Sequence, residues 1–227
     1  MRAKHFRGLF AGLLLLLLFV GIVTEPTTVG VGAQWSNNRY LFGGGTQPWA
    51  IAFSALVISL YLLLMYSAPV GIGKPLPGVV RRFVAFWLDF VLAMLAVAPI
   101  FGVLPALTEW RRTGVFKWVF ERPNAAPGDG PLIAAQALVI SIALVFYYAF
   151  PLLRRRPSPG TCIVGYQVVA DDAVTLNLQT VLLRTLLGFI AILVAYFAPF
   201  VGRDRKNGKF WLDKVFGTRA VMLGDRC

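Results

Sequence analysis

The sequence predicts an all-α polytopic membrane protein with four transmembrane helices, a re-entrant or interfacial helix and a small two-stranded cytoplasmic β element. Three observations support this fold class. Hydrophobic residues make up 58% of the 227 residues, and the mean hydropathy is +0.71, values that fit no soluble class. Apolar runs of about 20 residues, the length that crosses a bilayer, recur along the chain. The basic residues, which give a net charge of +12, cluster beside these runs.

Residues 1–70 are predicted to form an N-terminal two-helix extension. The first apolar run, from Gly8 to Val23, follows a basic head that stays in the cytoplasm by the positive-inside rule. Small residues around Ala33 resemble a signal-peptide cleavage site. The length of the run and the intervening Pro26 favour an uncleaved first helix instead, and both alternatives stay open.

The second half of this extension contains a predicted loop and a second span. The segment SNNRYLFGGGTQPW, residues 36–49, has three successive glycines and two turn-forming asparagines, which favour a loop outside the membrane. The span then runs from Trp49 to Ala68 and ends at Pro69. The connection to the third span is basic and has no acidic residue, so we expect it to be cytoplasmic.

The third span contains a carboxylate. Asp89 lies within the otherwise apolar stretch from Phe83 to Phe101, where an ionisable side chain costs about 2.5–3.5 kcal/mol on insertion scales. Arg82 lies two turns earlier on the same helix face, but about 10 Å away along the axis, which is too far for a relaxed ion pair. Asp89 therefore needs a partner or a function elsewhere in the protein.

The fourth span, Leu132 to Pro151, separates two polar segments. Before it, residues 107–131 are of mixed charge and rich in aromatics, and we place them outside as an interfacial amphipathic helix or a loop along the headgroups. After the span come Arg154, Arg155 and Arg156, which the positive-inside rule places in the cytoplasm. Anionic lipid headgroups are the expected partners of this triplet.

The C-terminal part presents a conflict of topology. Residues 162–178 and the sequence TRAVML at 218–223 both look like short strands that could pair outside the bilayer. The apolar run from Val181 to Val201 is long enough to span. A full crossing would separate the two strands and place a strongly basic segment outside, so we expect a re-entrant or interfacial helix and two cytoplasmic termini.

Four motifs in order, RRFVAFWLD, SPGTCIVGYQVV, LLRTLL and LDKVFGTRAV, resemble the RDD family of membrane proteins over residues 78–223. The family is named for one arginine and two aspartates, which by motif position correspond to Arg82, Asp89 and Asp213. Arg184 matches a further arginine of the family. The resemblance implies a membrane domain of ill-defined activity, and Na+/H+ antiport has been proposed for some members.

The sequence departs from the family pattern at two positions. Thr161 stands where the family usually has a lysine or arginine, and Leu212 stands where a histidine often precedes the last aspartate. No role that depends on those two side chains is therefore carried over to this chain.

Enzyme and nucleic-acid functions are disfavoured. The single histidine lies in the N-terminal basic tail, and the two cysteines, Cys162 and Cys227, are far apart, so no metal site, cofactor site or disulfide framework is indicated. We find no nucleophile–base pair or nucleotide-binding loop. The basic residues flank spans, which indicates membrane topology rather than nucleic-acid binding. Asp129 and the pair Asp171–Asp172 are expected to be solvated.

The sequence favours a non-enzymatic scaffold or accessory subunit of the bacterial inner membrane, which acts with lipid, a membrane protein partner or further copies of itself. In this hypothesis Asp89 pairs with Arg184, and Asp213 pairs with Arg82 or its neighbour Arg81. A rival interpretation has Asp213 cap a local helix start. The alternative function is a small-ion or solute transporter, for example a Na+/H+ exchanger, that uses Asp89.

Overall fold

The computed structural model describes residues 2–23, 30–36, 39–68, 77–122, 129–171, 176–194 and 209–223. Most of this part of the chain is helical. The helices are α1 (Arg2–Val23), α2 (Pro48–Ser67), α3 (Val79–Phe101), α4 (Val103–Thr113), α5 (Asp129–Leu153), α6 (Pro159–Val164), α7 (Leu178–Val194) and α8 (Trp211–Val215). The strands are β1 (Gly30–Ser36), β2 (Arg39–Gly45), β3 (Val119–Arg122), β4 (Tyr166–Ala170) and β5 (Thr218–Met222).

Within the described residues, three helical segments are long and apolar enough to cross a membrane, judged by length and composition: Pro48–Ser67, Val79–Thr113 and Asp129–Leu153. They coincide with the predicted second, third and fourth spans. The predicted first span is not among them; among the described residues this region has the shorter apolar helix Gly8–Leu17. The corresponding part of α7, Leu178–Ile190, is also short of a full span, and residues 195–201 lie outside the described chain.

The prediction of a loop over residues 36–49 is wrong. Half of this segment, Arg39–Gly45, is β2, which pairs antiparallel with β1 on one side and β3 on the other. Gly43 and Gly45 do not form a turn. They allow the backbones of β2 and β3 to lie close together. A Cβ on Gly45, whose φ is +130°, would lie 2.0 Å from the carbonyl oxygen of Trp118. The aromatic segment predicted as an interfacial helix or loop is the end of α4, a left-handed Gly114 and then β3.

The chain divides into two compact units, and the second comprises residues 15–59 and 92–144. Its three-stranded sheet buries Phe42 against Phe120, with ring centroids 6.2 Å apart. The Arg122 guanidinium lies 4.5 Å from the Phe42 ring and forms an ion pair with Asp129. Asp129 is therefore buried and paired, not solvated as expected, because β3 brings an arginine to the start of α5.

The first unit comprises residues 1–14, 60–91 and 145–227. Here β4 and β5 pair antiparallel, from Tyr166 opposite Met222 to Ala170 opposite Thr218, so the predicted pairing of two remote strands is confirmed. Ala85 of α3 forms a buried cluster with Tyr166 and Ala220 of the two strands. Asp171, expected to be solvated, forms an ion pair with Lys209 because β4 ends beside the segment that leads into α8. Asp172 lies outside the described residues.

Candidate functional site

The site lies in the first unit and is built around α6. The sequence Ser-Pro-Gly starts this helix in a conventional way: the Ser158 hydroxyl accepts a hydrogen bond from the Thr161 N–H, and Pro159 occupies the first turn, where its missing N–H costs nothing. Gly165 ends the helix in the left-handed conformation at φ 86° and leads into β4. The first residues of the SPGTCIVGYQVV motif therefore form a short, well-capped helix.

Asp89 is buried in a cradle of neutral donors. Only 2% of its surface is exposed. Its Oδ2 accepts a hydrogen bond from the Ser158 hydroxyl at 2.5 Å, and its Oδ1 accepts from the Gly160 N–H at 2.8 Å and from the Tyr147 hydroxyl at 3.3 Å. A Cβ on Gly160 would lie 2.3 Å from the Ala85 carbonyl oxygen, so only glycine allows α6 to approach α3 this closely.

The predicted pairing of Asp89 with Arg184 is wrong. Arg184 instead places Nη2 3.0 Å from Oδ1 of Asp213 and donates from Nε to the Thr218 hydroxyl at 3.2 Å. The physical reason is position: α7 brings the guanidinium to α8 and β5, whereas α5 and α6 enclose the Asp89 carboxylate. No pattern in the sequence indicated that neutral donors, and not an arginine, would bind the Asp89 carboxylate.

Asp213 is the hub of an ionic network. Its side chain is 1% exposed and forms ion pairs with both Arg82 and Arg184, and its Oδ1 also accepts a hydrogen bond from the Thr218 hydroxyl at 3.1 Å. Burial alone would raise the pKa of the Asp213 carboxyl, but the guanidinium groups of Arg184 and Arg82 outweigh it and lower the pKa below its ordinary value. The predicted contact between Asp213 and Arg82 is confirmed.

Arg82 is buried as well, at 7% exposure. Its Nη1 binds Asp213, and its Cζ lies 4.3 Å from the centre of the Phe210 ring, a cation–π contact. Among the described residues, its Nε and Nη2 have no hydrogen-bond partner. Arg82 is thus held through Nη1 by Asp213 and through the face of its guanidinium group by Phe210.

A cavity of about 160 Å³ lies against this network. Its walls carry the charged side chains of Arg82, Arg156, Arg184, Asp89 and Asp213. The remaining lining is mainly aromatic and aliphatic and comes from α3, α5, α7 and the residues around α6 and α8. The cavity therefore brings all four of the predicted motif residues, Arg82, Asp89, Arg184 and Asp213, to one place.

The arginine triplet does not act as one group. Arg154 and Arg155 are exposed, whereas Arg156 is partly buried, lines the cavity and donates from Nη1 to the Ala68 carbonyl at 3.0 Å. Sequence reasoning missed this separation, and it also missed Ser158 and Tyr147 as donors to Asp89. A tyrosine inside an apolar span was the one available indication for Tyr147. Within the described ranges, no group of three His, Cys, Asp or Glu side chains could hold a metal.

Comparison with known proteins gives a family match. Residues 76–217 match the RDD family, and the match includes Arg82, Asp89, Arg184 and Asp213. No protein of curated function and no solved structure matches the chain. Since the family match covers more than half of the 227 residues, the chain belongs to the RDD family, whose members are membrane proteins.

Proposed function

We propose that this protein is a non-enzymatic membrane scaffold or accessory subunit in which the family's arginine and aspartates hold a small α/β module against the membrane helices. The α/β module is defined as residues 158–171 and 209–223, which contain α6, β4, α8 and β5. The function of such a module is to present a fixed surface to lipid or to another membrane protein.

One observation carries this proposal: the two aspartates form reciprocal links. Asp89 on α3 accepts hydrogen bonds from Ser158 and Gly160 of the module. Asp213 of the module pairs in turn with Arg82 on α3 and Arg184 on α7. Each carboxylate is engaged by protein donors on the opposite side of the junction, which is the arrangement expected of a structural connection.

The proposal includes an orientation. We infer a multi-pass protein of the bacterial inner membrane with both termini and the α/β module in the cytoplasm. The basic residues that adjoin the module, among them Arg81 and the exposed Arg154 and Arg155, support this side by the positive-inside rule. Those exposed arginines would contact anionic headgroups. Labelling of Cys227 by a membrane-impermeant thiol reagent on intact cells would contradict the orientation.

A stability measurement tests the structural role. Replacing Asp213 by alanine leaves the buried Arg82 and the partly buried Arg184 without their counter-charge, so we expect a loss of about 3–5 kcal/mol in the free energy of unfolding. The matched control is Asp171→Ala, which removes a carboxylate of the same module from a more exposed pair and should lose about 1 kcal/mol or less. Equal losses in the two variants would contradict a special role for the network.

A second candidate function is a small-ion carrier, for example a Na+/H+ exchanger, that uses Asp89. The observation in its favour is that Asp89 lines the cavity and that the hydrogen bonds described for it come from neutral donors. Purified protein in liposomes with an imposed pH gradient separates the two candidates. Sodium-dependent collapse of the gradient that disappears in Asp89→Asn would support the carrier. Collapse no faster than in protein-free liposomes supports the scaffold.

A further inference from the structure

One edge of the Arg82 guanidinium group has no hydrogen-bond partner among the described residues. Its Nη1 is occupied by Asp213, and the two donors left without a partner among the described residues are Nε and Nη2. In a guanidinium group the Nε–H and one Nη2–H point the same way and form a planar two-pronged donor. That fork matches two oxygens of a carboxylate or phosphate. Buried charged donors are rarely left unsatisfied, so this pair calls for an acceptor.

The cavity that Arg82 lines has an excess of positive charge. Three arginines and two aspartates line it. Asp213 is already shared by Arg82 and Arg184, and the Asp89 oxygens are covered by hydrogen bonds from Ser158, Gly160 and Tyr147. The contact described for Arg156 is to a neutral carbonyl. An anion in the cavity would therefore meet uncompensated cationic groups, while both carboxylates face protein donors.

The rest of the cavity wall is apolar. Phe86, Tyr148 and Phe189 line it and contact one another, with ring centroids 5.7 Å apart for Phe86–Tyr148 and 5.1 Å for Tyr148–Phe189. The Tyr148 hydroxyl donates a hydrogen bond to the Phe86 carbonyl oxygen at 3.1 Å. This wall therefore presents aromatic rings to the cavity and no unpaired hydroxyl. A ligand with an anionic head and an apolar remainder suits both parts of the cavity.

We propose that this cavity is a binding site for a phosphate group, held by the guanidinium group of Arg82, which has Nε and Nη2 as its unpartnered donors, with Arg156 as a second cation. Asp213 keeps the Arg82 guanidinium oriented, since it binds the opposite edge. The phosphate comes either from a free phosphate ion or from the headgroup of an anionic phospholipid. This site goes beyond the scaffold function, because the structural links of Asp89 and Asp213 do not require the cavity to be filled.

The experiment uses the full chain in maltoside micelles, which contain no phosphate. One arm measures the thermal unfolding midpoint during titration with inorganic phosphate at constant ionic strength set with chloride. The other arm adds phosphatidylglycerol, with a diacylglycerol of the same acyl chains as the phosphate-free control. Stabilisation by inorganic phosphate identifies free phosphate as a ligand, and stabilisation by phosphatidylglycerol alone identifies the phospholipid headgroup. Either result supports the site.

Two variants and one control localise the effect. Arg82→Lys keeps a positive charge for Asp213 but lacks the fork, and Arg156→Gln removes the second cation without touching the Asp213 network; each should weaken binding about tenfold or more. Arg219→Gln makes the same charge change at an exposed position of β5 that does not line the cavity, and this control should bind like the unaltered protein.

If Arg82→Lys does not fold, Arg156→Gln alone still tests whether binding depends on a cation that lines the cavity. The proposal is overturned if neither phosphate nor phosphatidylglycerol raises the unfolding midpoint. It is equally overturned if Arg156→Gln and Arg219→Gln weaken binding to the same extent, because that result would mean general charge attraction.

Discussion

Replacement of Gly160 by alanine tests the junction between α3 and α6 with a single added carbon. The new Cβ would lie 2.3 Å from the Ala85 carbonyl oxygen and 2.8 Å from Cγ of Asp89. Ordinary contact begins near 3.4 Å, so α6 must retreat from α3 by about 1 Å. Because the obstacle is backbone rather than the end of a flexible side chain, rotation of a neighbour cannot relieve it.

The retreat has two energetic consequences. Forced overpacking of this kind destabilises by about 1–3 kcal/mol. The hydrogen bond from the Gly160 N–H to Asp89, now 2.8 Å, would lengthen beyond hydrogen-bonding distance, and the loss of a bond to a charged acceptor adds about 1.5–3 kcal/mol. We therefore expect Gly160→Ala to lower the free energy of unfolding by about 2.5–6 kcal/mol.

The assay is chemical or thermal unfolding of purified protein in micelles, with Gly130→Ala as the matched control. Gly130 also lies in a helix, α5, but a Cβ there meets nothing within 4 Å. This control should be neutral or slightly more stable, because alanine is favoured over glycine in helices by about 0.5–1 kcal/mol. If Gly160→Ala proves as stable as Gly130→Ala, α6 does not pack on α3 through Asp89, and the reciprocal links proposed above are refuted.

Three further predictions concern other parts of the network and the second unit. The lowered pKa of Asp213 means that the folded protein binds this proton less readily than the unfolded chain. The stability advantage of the unaltered protein over Asp213→Asn should therefore be full above about pH 4, the unfolded pKa, and disappear as the pH falls through the folded pKa, as unfolding at several pH values will report. Ser158→Ala removes both the cap of α6 and a hydrogen bond to Asp89, so a loss of about 1–3 kcal/mol in the same unfolding assay is expected, and an unchanged midpoint would contradict it. Gly45→Ala should separate β2 from β3, seen as faster hydrogen exchange of the β3 amides, whereas unchanged exchange would mean that the strands accommodate the side chain.

The membrane character of the chain could be predicted from sequence because it depends on local properties. The length of an apolar run and the charges at its ends are read directly along the chain, and three of the predicted spans coincide with helices of sufficient length. The pairing of Arg82 with Asp213 was also predictable, since an arginine at the end of a helix and an acid between two basic segments offer few other combinations. The antiparallel pairing of β4 with β5 followed from their alternating patterns.

What holds Asp89 could be decided only by the tertiary structure. The sequence favoured an ion pair with Arg184. The carboxylate instead accepts hydrogen bonds from Ser158 and Gly160 at the start of α6 and from Tyr147 of α5. Hydrogen bonds from a hydroxyl and a backbone N–H cannot be predicted from the charge or the periodicity of a sequence. Their role depends on how closely two helices approach.

The same limit explains the other differences. Three glycines in a row indicate a turn as readily as a strand packed against a neighbouring backbone, and only the position of β3 selects the second. Arg154 and Arg156 are alike in sequence, yet one is exposed and the other lines the cavity. Sequence by itself determined which segments are apolar and which charges are present. The packing of the elements determined which of those charges meet, because burial and distance between remote residues exist only in the folded chain.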